Sequence, residues 1–340
     1  SSVKLLRLPI SKGKLASWFS QRSSHVKNFS IPISDGKVGF CNSSHLNWLK
    51  ENLFVHCGIM LRRVQIGNCR VTYYAEGDPS YPAILFLHGF MGDCHEFKQA
   101  IAGLSKRFYC VAIDLMGHGQ TCFIKQFSQN AVMVDQQEYY YTIQANADLV
   151  IRFLDFLRLD YCFLIGYSLG GRLALYLTLH FSQYFHKVVL ESASAGLRTD
   201  AERSDRLAKD QQLAARLENE DFRQFLENWY QQPIFDSLRS HPDFPELLEQ
   251  RLNNSPYQLA KSLRNLSTGM QPSLWEDLHK IEIPLLLLAG ELDPKFVKIN
   301  QQMEQLTKCS QLQIAPNCGH NIHFENTELF VEKIQAFFSK

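Results

Sequence analysis

The chain has 340 residues, 45% of them hydrophobic and 20% charged, and a formal net charge of +1. This length allows one large core with an inserted lobe, or two modest domains. The near-neutral charge argues against a nucleic-acid or membrane-surface partner, and no apolar run is long enough to cross a bilayer. The nine cysteines are scattered, with no Cys-x-x-Cys pair, which predicts reduced intracellular thiols and no disulfide framework or zinc site.

Residues 1–60 lack sustained hydrophobic periodicity and are predicted to be an extension outside the main fold, with one short helix around residues 46–55. The start of this segment is rich in serine and has no acidic residue before Asp35. Its basic residues are Lys4, Arg7, Lys12, Lys14, Arg22 and Lys27. This composition fits either an organelle-targeting segment or an interdomain linker, and both readings stay open.

From Val64 onward, short apolar segments alternate with helical patterns. Helices are predicted notably at residues 144–157 and 172–180. Strands are predicted at residues 69–75, 83–87, 109–113, 162–165, 188–190, 284–289 and 311–314. The inner strands are almost wholly apolar, which is typical of strands covered on both faces. We therefore expect an α/β domain over residues 61–340 with a largely parallel sheet.

The alternation stops over residues 197–276, a stretch rich in charged residues and helix formers. Helices are predicted there at residues 201–217, 221–230, 245–251 and 258–266. The segment is either a solvated decoration or a helical cap over the edge of the sheet where the strands end. We favour the cap, because ligands of α/β sheets bind at that edge and the segment begins and ends beside it.

The segment around Ser168 predicts a catalytic serine. An apolar strand pattern ends in Gly166-Tyr167-Ser168-Leu169-Gly170 and continues directly into a helix pattern, which is the setting of a nucleophile elbow. The two glycines leave room where the strand and helix backbones approach closely. The turn exposes the Ser168 hydroxyl and places the Leu169 amide at the start of the helix, where it can stabilise an anion.

A serine at this position needs a histidine to take its proton and an acid to orient that histidine, in the chain order Ser, acid, His. Asp293 follows a predicted strand and is the expected acid, with Glu291 as the alternative. His320 follows the last predicted strand and is the expected base, with His323 as its nearest competitor.

A second anion-stabilising amide is expected from the loop after an early strand, where Leu87-His88-Gly89-Phe90 lies. The predicted oxyanion donors are therefore the amides of Phe90 and Leu169, and His88 is expected to bond within the loop. The chain contains no Gly-x-Gly-x-x-Gly, Walker loop or metal-ligand cluster, so neither a cofactor nor a metal is expected.

These residues in this order resemble the α/β-hydrolase fold. The resemblance narrows to the family of 2-succinyl-6-hydroxy-2,4-cyclohexadiene-1-carboxylate synthases, the MenH family of menaquinone and phylloquinone biosynthesis. It extends from about Val64 to the C-terminus, and residues 1–60 have no counterpart in the free-standing bacterial enzymes. The motifs that carry it are residues 166–175, 191–198, 228–233, 269–275 and 290–296.

The resemblance implies a lyase that eliminates pyruvate from 2-succinyl-5-enolpyruvyl-6-hydroxy-3-cyclohexene-1-carboxylate, with Ser168 acting as the base. It also implies that arginines bind the three carboxylates of this small-molecule substrate, because a guanidinium pairs with a carboxylate through two hydrogen bonds. The residues expected to bind or wall the substrate are Arg172, Arg206, Arg251, Tyr167 and Trp229. In plants, the family's enzyme is the last module of a larger fused pathway protein, which would place this chain in the plastid.

Two alternatives compete with this function. A serine esterase or carbon–carbon hydrolase would use the same three residues, with Ser168 as a covalent nucleophile. It would have little use for several cations in the pocket. A non-catalytic interaction protein is disfavoured, because Ser168, Asp293 and His320 are all present.

Overall fold

The structure is a computed structural model that describes residues 29–32, 38–41, 53–56, 59–124 and 134–339. The chain divides into two units, Ser1–Phe54 and Val55–Lys340. In the first unit, strands β1 (Phe29–Pro32) and β2 (Val38–Cys41) pair antiparallel. Most of the helix predicted around residues 46–55 lies outside the described residues. The last part of this prediction is wrong. Residues 53–55 belong to strand β3 (Leu53–His56), which forms from an apolar run rich in good strand formers.

The second unit is built on a twisted sheet that includes every predicted strand. The bounds are β4 (Ile59–Ile66), β5 (Cys69–Glu76), β6 (Ala83–Leu87), β7 (Tyr109–Ile113), β8 (Cys122–Phe123), β9 (Cys162–Tyr167), β10 (Phe185–Glu191), β11 (Leu285–Gly290) and β12 (Ser310–Ala315). The order is β12-β11-β10-β9-β6-β7-β5-β4-β3, with β8 paired to β5. Strands β6, β7 and β9 to β12 are parallel, whereas β4 and β5 are antiparallel.

Helices cover both faces of this sheet. Their bounds are α1 (Lys98–Leu104), α2 (Val134–Tyr139), α3 (Ile143–Leu157), α4 (Leu169–His180), α10 (Pro294–Leu306), α11 (Ile322–Glu325) and α12 (Thr327–Phe338). Because of this double cover, every residue of β6, β7, β9 and β11 is buried. Their near-continuous apolar sequences are therefore explained by position, as expected for central parallel strands.

The stretch between β10 and β11 forms a helical lobe. Its helices are α5 (Asp200–Asn219), α6 (Phe222–Tyr230), α7 (Asp236–Arg239), α8 (Phe244–Arg251) and α9 (Pro256–Asn265). Three of them begin at side-chain caps that the sequence encodes, namely Thr199, Asp221 and Ser255. The lobe has its own apolar cluster around Phe225, and Met91 of the sheet domain joins that cluster. The lobe is therefore packed onto the loop that follows β6. No helix in the described residues is long and apolar enough to span a membrane.

The crossing of β9 and α4 gives a test of the packing. A Cβ added to Gly170 would lie 2.1 Å from the carbonyl oxygen of Leu87, a backbone atom that has nowhere to move. We expect Gly170→Ala to lower the free energy of unfolding by about 1–3 kcal/mol or more, the usual cost of overpacking. Urea denaturation followed by circular dichroism measures this change.

The matched control is Gly103→Ala in α1. The nearest atoms to its added Cβ are side-chain carbons of Val331, at 3.1 and 3.2 Å, which can shift slightly. Alanine also favours a helix over glycine by about 0.5–1 kcal/mol. The control should stay within about 1 kcal/mol of the unsubstituted protein. Equal effects at the two glycines would contradict the packing argument.

Candidate active site

Ser168 lies on a sharp turn between β9 and α4. Its φ is 51° and its ψ is −105°, a conformation that a serine adopts only under constraint from its surroundings. The constraint is visible in the backbone, because the Ser168 amide donates to the carbonyl of Glu191 at 2.9 Å. A Cβ on Gly166 would lie 2.4 Å from the carbonyl oxygen of Gly170. The Gly-x-Ser-x-Gly spacing is thus the local condition for presenting this hydroxyl.

His320 and Asp293 complete a hydrogen-bonded array with Ser168. The His320 Nε2 lies 3.0 Å from Ser168 Oγ, and its Nδ1 lies 2.7 Å from Asp293 Oδ2. Asp293 caps α10 by accepting a hydrogen bond from the amide of Phe296 at 3.2 Å. With Nδ1–H donating to the carboxylate, Nε2 is free to accept the serine proton. The array can therefore generate a basic or nucleophilic Ser168 oxygen.

The two competing residues lie elsewhere. Glu291 is exposed, and its carboxylate accepts a hydrogen bond from the amide of Asn317 at 2.9 Å. His323 is buried, and its Nδ1 lies 2.7 Å from a carboxylate oxygen of Glu191. Neither side chain joins the array, so the geometry favours Asp293 and His320 over the alternatives.

The amides of Phe90 and Leu169 flank the array. Among the described residues, neither amide donates a hydrogen bond to a protein acceptor. His88 shapes the loop that holds Phe90: its Nε2 accepts from the amide of Leu115 at 2.9 Å, and its Nδ1 donates to the carbonyl of Gly89 at 2.7 Å. Burial lowers the pKa of His88, which agrees with a neutral ring in this position. Two free amides beside a serine suit the stabilisation of a developing oxyanion.

A cavity of about 230 Å³ opens onto Ser168. The sheet domain and the helical lobe both contribute to its wall, so the lobe covers the serine as a cap does. The residues that line it are Phe90, Ser168, Leu169, Arg172, Ser192, Ser194, Gly196, Leu197, Arg206, Trp229, Gln232, Ile234, Phe235, Leu263, Leu266, Ser267, Thr268, Lys295, Phe296, Ile299 and His320.

Arg172 is an unusual cation in this cavity. It stands one helical turn after Ser168 and donates to the side chain of Gln271 at 2.9 Å and to the carbonyl of Leu266 at 3.0 Å. Both acceptors are neutral, and no carboxylate in the described part of the chain pairs with Arg172. Burial, with a smaller contribution from Arg206, lowers the pKa of Arg172 to about 9, so it is still charged at neutral pH. A partly desolvated cation without a counter-ion is well suited to bind an anion.

Two further cations line the same cavity. Arg206 is paired with the buried carboxylate of Asp210, at 2.8 and 2.9 Å from its Nε. Lys295 lies two residues after Asp293, with its ammonium 5.6 Å from the centre of the Phe296 ring. Sequence reasoning selected only arginines and missed Lys295. Its position directly after the acid loop was the signal that could have identified it.

Arg251 occupies a different place from the one predicted for a free substrate cation. It lines a smaller cavity of about 50 Å³ that also reaches Ser168 and His320. Its guanidinium is already paired with Glu96 and bonded through Nε to Tyr230 Oη at 3.1 Å. A substrate carboxylate would therefore share Arg251 with an existing anion.

The two predicted aromatic residues also reach the site. Trp229 lines both cavities and packs edge-on against Phe90, with ring centres 5.4 Å apart. Tyr167 is buried and lines only the smaller cavity. It packs so closely under Gly89 that an added Cβ there would lie 2.5 Å from the Tyr167 ring.

The sheet order, the helices on both faces and the strand–serine–helix turn define an α/β hydrolase. The family model described as alpha/beta hydrolase fold matches residues 82–327. The chain is 34% identical over 269 residues to the putative 2-succinyl-6-hydroxy-2,4-cyclohexadiene-1-carboxylate synthase of Bacillus subtilis, covering 78% of this chain and 93% of the relative. It is similar to the structure of MenH from S. aureus, with a TM-score of 0.70, 31% identity and coverage of 79% and 97%.

A plant protein is similar as well. Protein PHYLLO, chloroplastic, of Arabidopsis thaliana is 30% identical over 265 residues, which cover 75% of this chain and 15% of that protein. The chain therefore belongs to the α/β-hydrolase family and, within it, to the 2-succinyl-6-hydroxy-2,4-cyclohexadiene-1-carboxylate synthase family of menaquinone and phylloquinone biosynthesis. The fold and family expected from the sequence are confirmed.

The hydrogen bonds joining Ser168, His320 and Asp293 predict that the three residues act as a unit. Ser168→Ala and His320→Ala should each lower kcat on the order of a thousandfold or more, and the double variant should lose little beyond either single one. Steady-state rates of product formation, corrected for folded enzyme, measure this. Losses that multiply in the double variant would contradict a coupled pair.

Proposed function

We propose that this protein is a carbon–oxygen lyase. It eliminates pyruvate from 2-succinyl-5-enolpyruvyl-6-hydroxy-3-cyclohexene-1-carboxylate and yields 2-succinyl-6-hydroxy-2,4-cyclohexadiene-1-carboxylate. The observation that carries the proposal is the Arg172 cation, which stands beside Ser168 with only neutral partners. Family membership supports the same reaction, since relatives at 32–34% identity bear the name of this synthase.

In the proposed reaction, Ser168 loses its proton to His320 Nε2 and removes the ring proton next to the succinyl ketone. The electron pair of that C–H bond enters the carbonyl, and the amides of Phe90 and Leu169 stabilise the resulting enolate. Collapse of the enolate moves the ring double bond and breaks the C–O bond to the enolpyruvyl group. The leaving group takes up a proton and becomes pyruvate, so no covalent bond to the protein forms.

The charges of the cavity suit this substrate. It carries three carboxylates, and the cavity offers Arg172, Arg206 and Lys295 in addition to Arg251 in the adjoining space. Arg172 has no carboxylate partner among the described residues, so it contributes a full charge to the ligand. Arg206 and Arg251 each share theirs with a protein carboxylate. We therefore assign Arg172 the strongest single contact to a substrate carboxylate.

The same array would serve an esterase or carbon–carbon hydrolase, and several α/β hydrolases of 17–23% identity share the fold. Such weak likeness supports the fold alone, because one fold hosts many chemistries. A neutral ester gives Arg172 no anion to bind, and leaving a partly desolvated cation uncompensated costs free energy. The cation set therefore favours a polyanionic substrate over a neutral one.

The finer biology is part of the proposal. We infer that the chain acts in the plastid and works beside, or is fused to, other enzymes of the same pathway. The support is the likeness to the chloroplastic plant protein PHYLLO. The basic, serine-rich composition of residues 1–60 is compatible with either a targeting segment or a linker.

The lyase proposal is tested by following pyruvate release from the enolpyruvyl substrate beside hydrolysis of a neutral ester. Pyruvate should form without an initial burst, and intact-mass analysis during turnover should find Ser168 unmodified, because no acyl-enzyme is formed. A covalent adduct on Ser168 with the natural substrate, or ester hydrolysis faster than pyruvate release, would support the hydrolase instead.

The substrate cations give a further test. Arg172→Ala should lower kcat/KM by a factor corresponding to roughly 2–5 kcal/mol, because it leaves a desolvated carboxylate unpaired. Arg172→Lys keeps the charge but loses the two-pronged geometry, and should recover only part of this loss.

The control is Arg203→Ala on α5. Arg203 pairs with the exposed Asp200 and does not line the cavity. The kcat/KM of Arg203→Ala should stay within about twofold of wild type, since exposed ion pairs contribute little. If Arg172→Ala were as active as Arg203→Ala, the tricarboxylate substrate would have to be given up.

A further inference from the structure

Four charged side chains form a buried row beneath the turn that carries Ser168. They are Arg251 from the cap helix α8, Glu96 from the turn before α1, His323 from α11 and Glu191 at the end of β10. Each side chain is 5% exposed or less. Along the row the charges alternate in sign, so the row is electrically neutral when His323 is protonated. Buried charges of this kind are stable only when each is paired.

The contacts form a continuous chain. Arg251 Nη2 pairs with Glu96 Oε1, and the same oxygen lies 3.8 Å from His323 Nε2. His323 Nδ1 lies 2.7 Å from Glu191 Oε2, and the His323 amide donates to Glu191 Oε1 at 2.9 Å. The carbonyl of Glu191 accepts the amide of Ser168 at 2.9 Å. The row therefore begins on the cap and ends on the backbone of the serine turn.

The electrostatics agree with a charged His323 beside a charged Glu96. Burial lowers the pKa of His323, but the carboxylates of Glu191 and Glu96 outweigh it and raise this pKa to about 9. Burial raises the pKa of Glu96, yet Arg251 and His323 together hold it well below its usual range. At neutral pH, Arg251 thus has a permanent anionic partner, and that partner is itself anchored to the sheet domain.

Of the four side chains in this row, Arg251 is the one that lines a cavity at Ser168. Arg251 lines the small cavity together with Ser168, His320 and Tyr167. Glu96 and His323 instead line a separate cavity at the seam between sheet and cap. They line neither cavity at Ser168, so any effect they have on the reaction must pass through Arg251, through Glu191 to the serine turn, or through the packing of Tyr167.

Arg251 lines the small cavity and is close enough to contact a substrate there, but it belongs to the inserted lobe. A guanidinium on a separate lobe binds a carboxylate well only if it is held in one orientation before the substrate arrives. The hydrogen bond to Tyr230 fixes the Nε side, and the ion pair with Glu96 fixes Nη2. With two nitrogens held, the guanidinium is fixed in one orientation beside the cavity that Arg251 lines.

We propose that Glu96 and His323 are positioning residues for the reaction, which hold Arg251 of the cap in a fixed orientation beside Ser168. The inference rests on the proposed function, because it takes a substrate carboxylate as the ligand of Arg251. It assigns the two residues no contact with substrate. It also makes the buried ion pair a link that seats helix α8 of the cap on the sheet domain.

The experiment is a double-mutant cycle on pyruvate release, with kcat and KM measured separately. Glu96→Gln keeps the shape of the side chain and removes its charge, and should raise KM roughly tenfold or more, with a smaller change in kcat. In an Arg251→Met background, the same substitution should change KM by less than about threefold, because its target is gone. His323→Gln should act in the same direction, more weakly, and should also be silent in that background.

The matched control is Glu249→Gln, which breaks an exposed ion pair between α8 and α6. Glu249 Oε1 lies 2.7 Å from Arg223 Nη1 at the surface, far less buried than the Glu96 pair. The KM of Glu249→Gln should stay within about twofold of wild type. A KM that falls in Glu96→Gln would mean that Glu96 merely neutralises Arg251, and that result would overturn the inference. Losses that simply multiply with Arg251→Met would overturn it equally.

Thermal unfolding of each variant reports whether it folds. If Glu96→Gln does not fold, Tyr230→Phe removes only the neutral hydroxyl on Arg251 Nε and should raise KM about three- to tenfold. An unchanged KM in that variant would overturn the inference. A wild-type enzyme that releases no pyruvate would overturn the proposed function and this inference with it. If the wild type is active and the kinetics of Glu96→Gln and Tyr230→Phe are unchanged, this inference alone is overturned.

Discussion

The close approach of β9 and α4 at Ser168 is the constraint on which the site depends. The chain must leave a buried strand, place a serine at a φ of 51°, and enter a helix within one residue. This is possible only where Gly166 and Gly170 carry no side chain, since a Cβ at either would lie within 2.4 Å of a backbone oxygen. The same turn sets the direction of the hydroxyl, leaves the Leu169 amide unbonded and points Arg172 into the cavity. A strained turn can persist because the sheet on one side and the helix on the other are both fully packed.

The distribution of buried charge separates structural cations from ligand-binding ones. Arg251 and Arg206 each have a protein carboxylate within hydrogen-bonding distance, so their charges are compensated before any ligand arrives. Arg172 has two neutral acceptors instead, and its lowered pKa reflects the cost of holding a charge away from water without a counter-ion. That cost is recovered when an anion binds. The cavity at Ser168 holds Arg172 and Lys295, which have no carboxylate partner among the described residues, together with the paired Arg206. These cations suit a polyanionic ligand, and the array beside them has the geometry for proton transfer.

The cap adds a requirement that the sheet alone does not meet. Trp229, Arg206 and Arg251 all come from the inserted lobe, yet each must lie within reach of a serine on the sheet. The lobe packs through an apolar cluster that includes Met91, and through polar contacts such as Asn254 to the Met91 carbonyl at 2.9 Å. Apolar packing fixes the position of a lobe only coarsely, whereas charged and hydrogen-bonded contacts have preferred directions. The buried ion pair of Arg251 with Glu96 is therefore well placed to set the orientation of α8.

The sequence by itself determined much of this molecule. Apolar runs located the predicted strands within three residues at each end, and runs of charged residues and helix formers located four of the five lobe helices within two residues. The Gly-x-Ser-x-Gly turn and the chain order of acid and histidine predicted Ser168, Asp293 and His320, and the structure joins these three side chains by hydrogen bonds. Strands β1 to β4 and β8 were not predicted: β1 to β3 are four residues each, β4 carries adjacent arginines that interrupt its apolar pattern, and β8 has two residues. Only the tertiary structure decided which charges are paired. Glu96 and Arg251 are 155 residues apart in the chain, and the pairing between them has no local sequence signal. Whether a cation is free or compensated depends on distances across the fold, and no local pattern of residues encodes those distances.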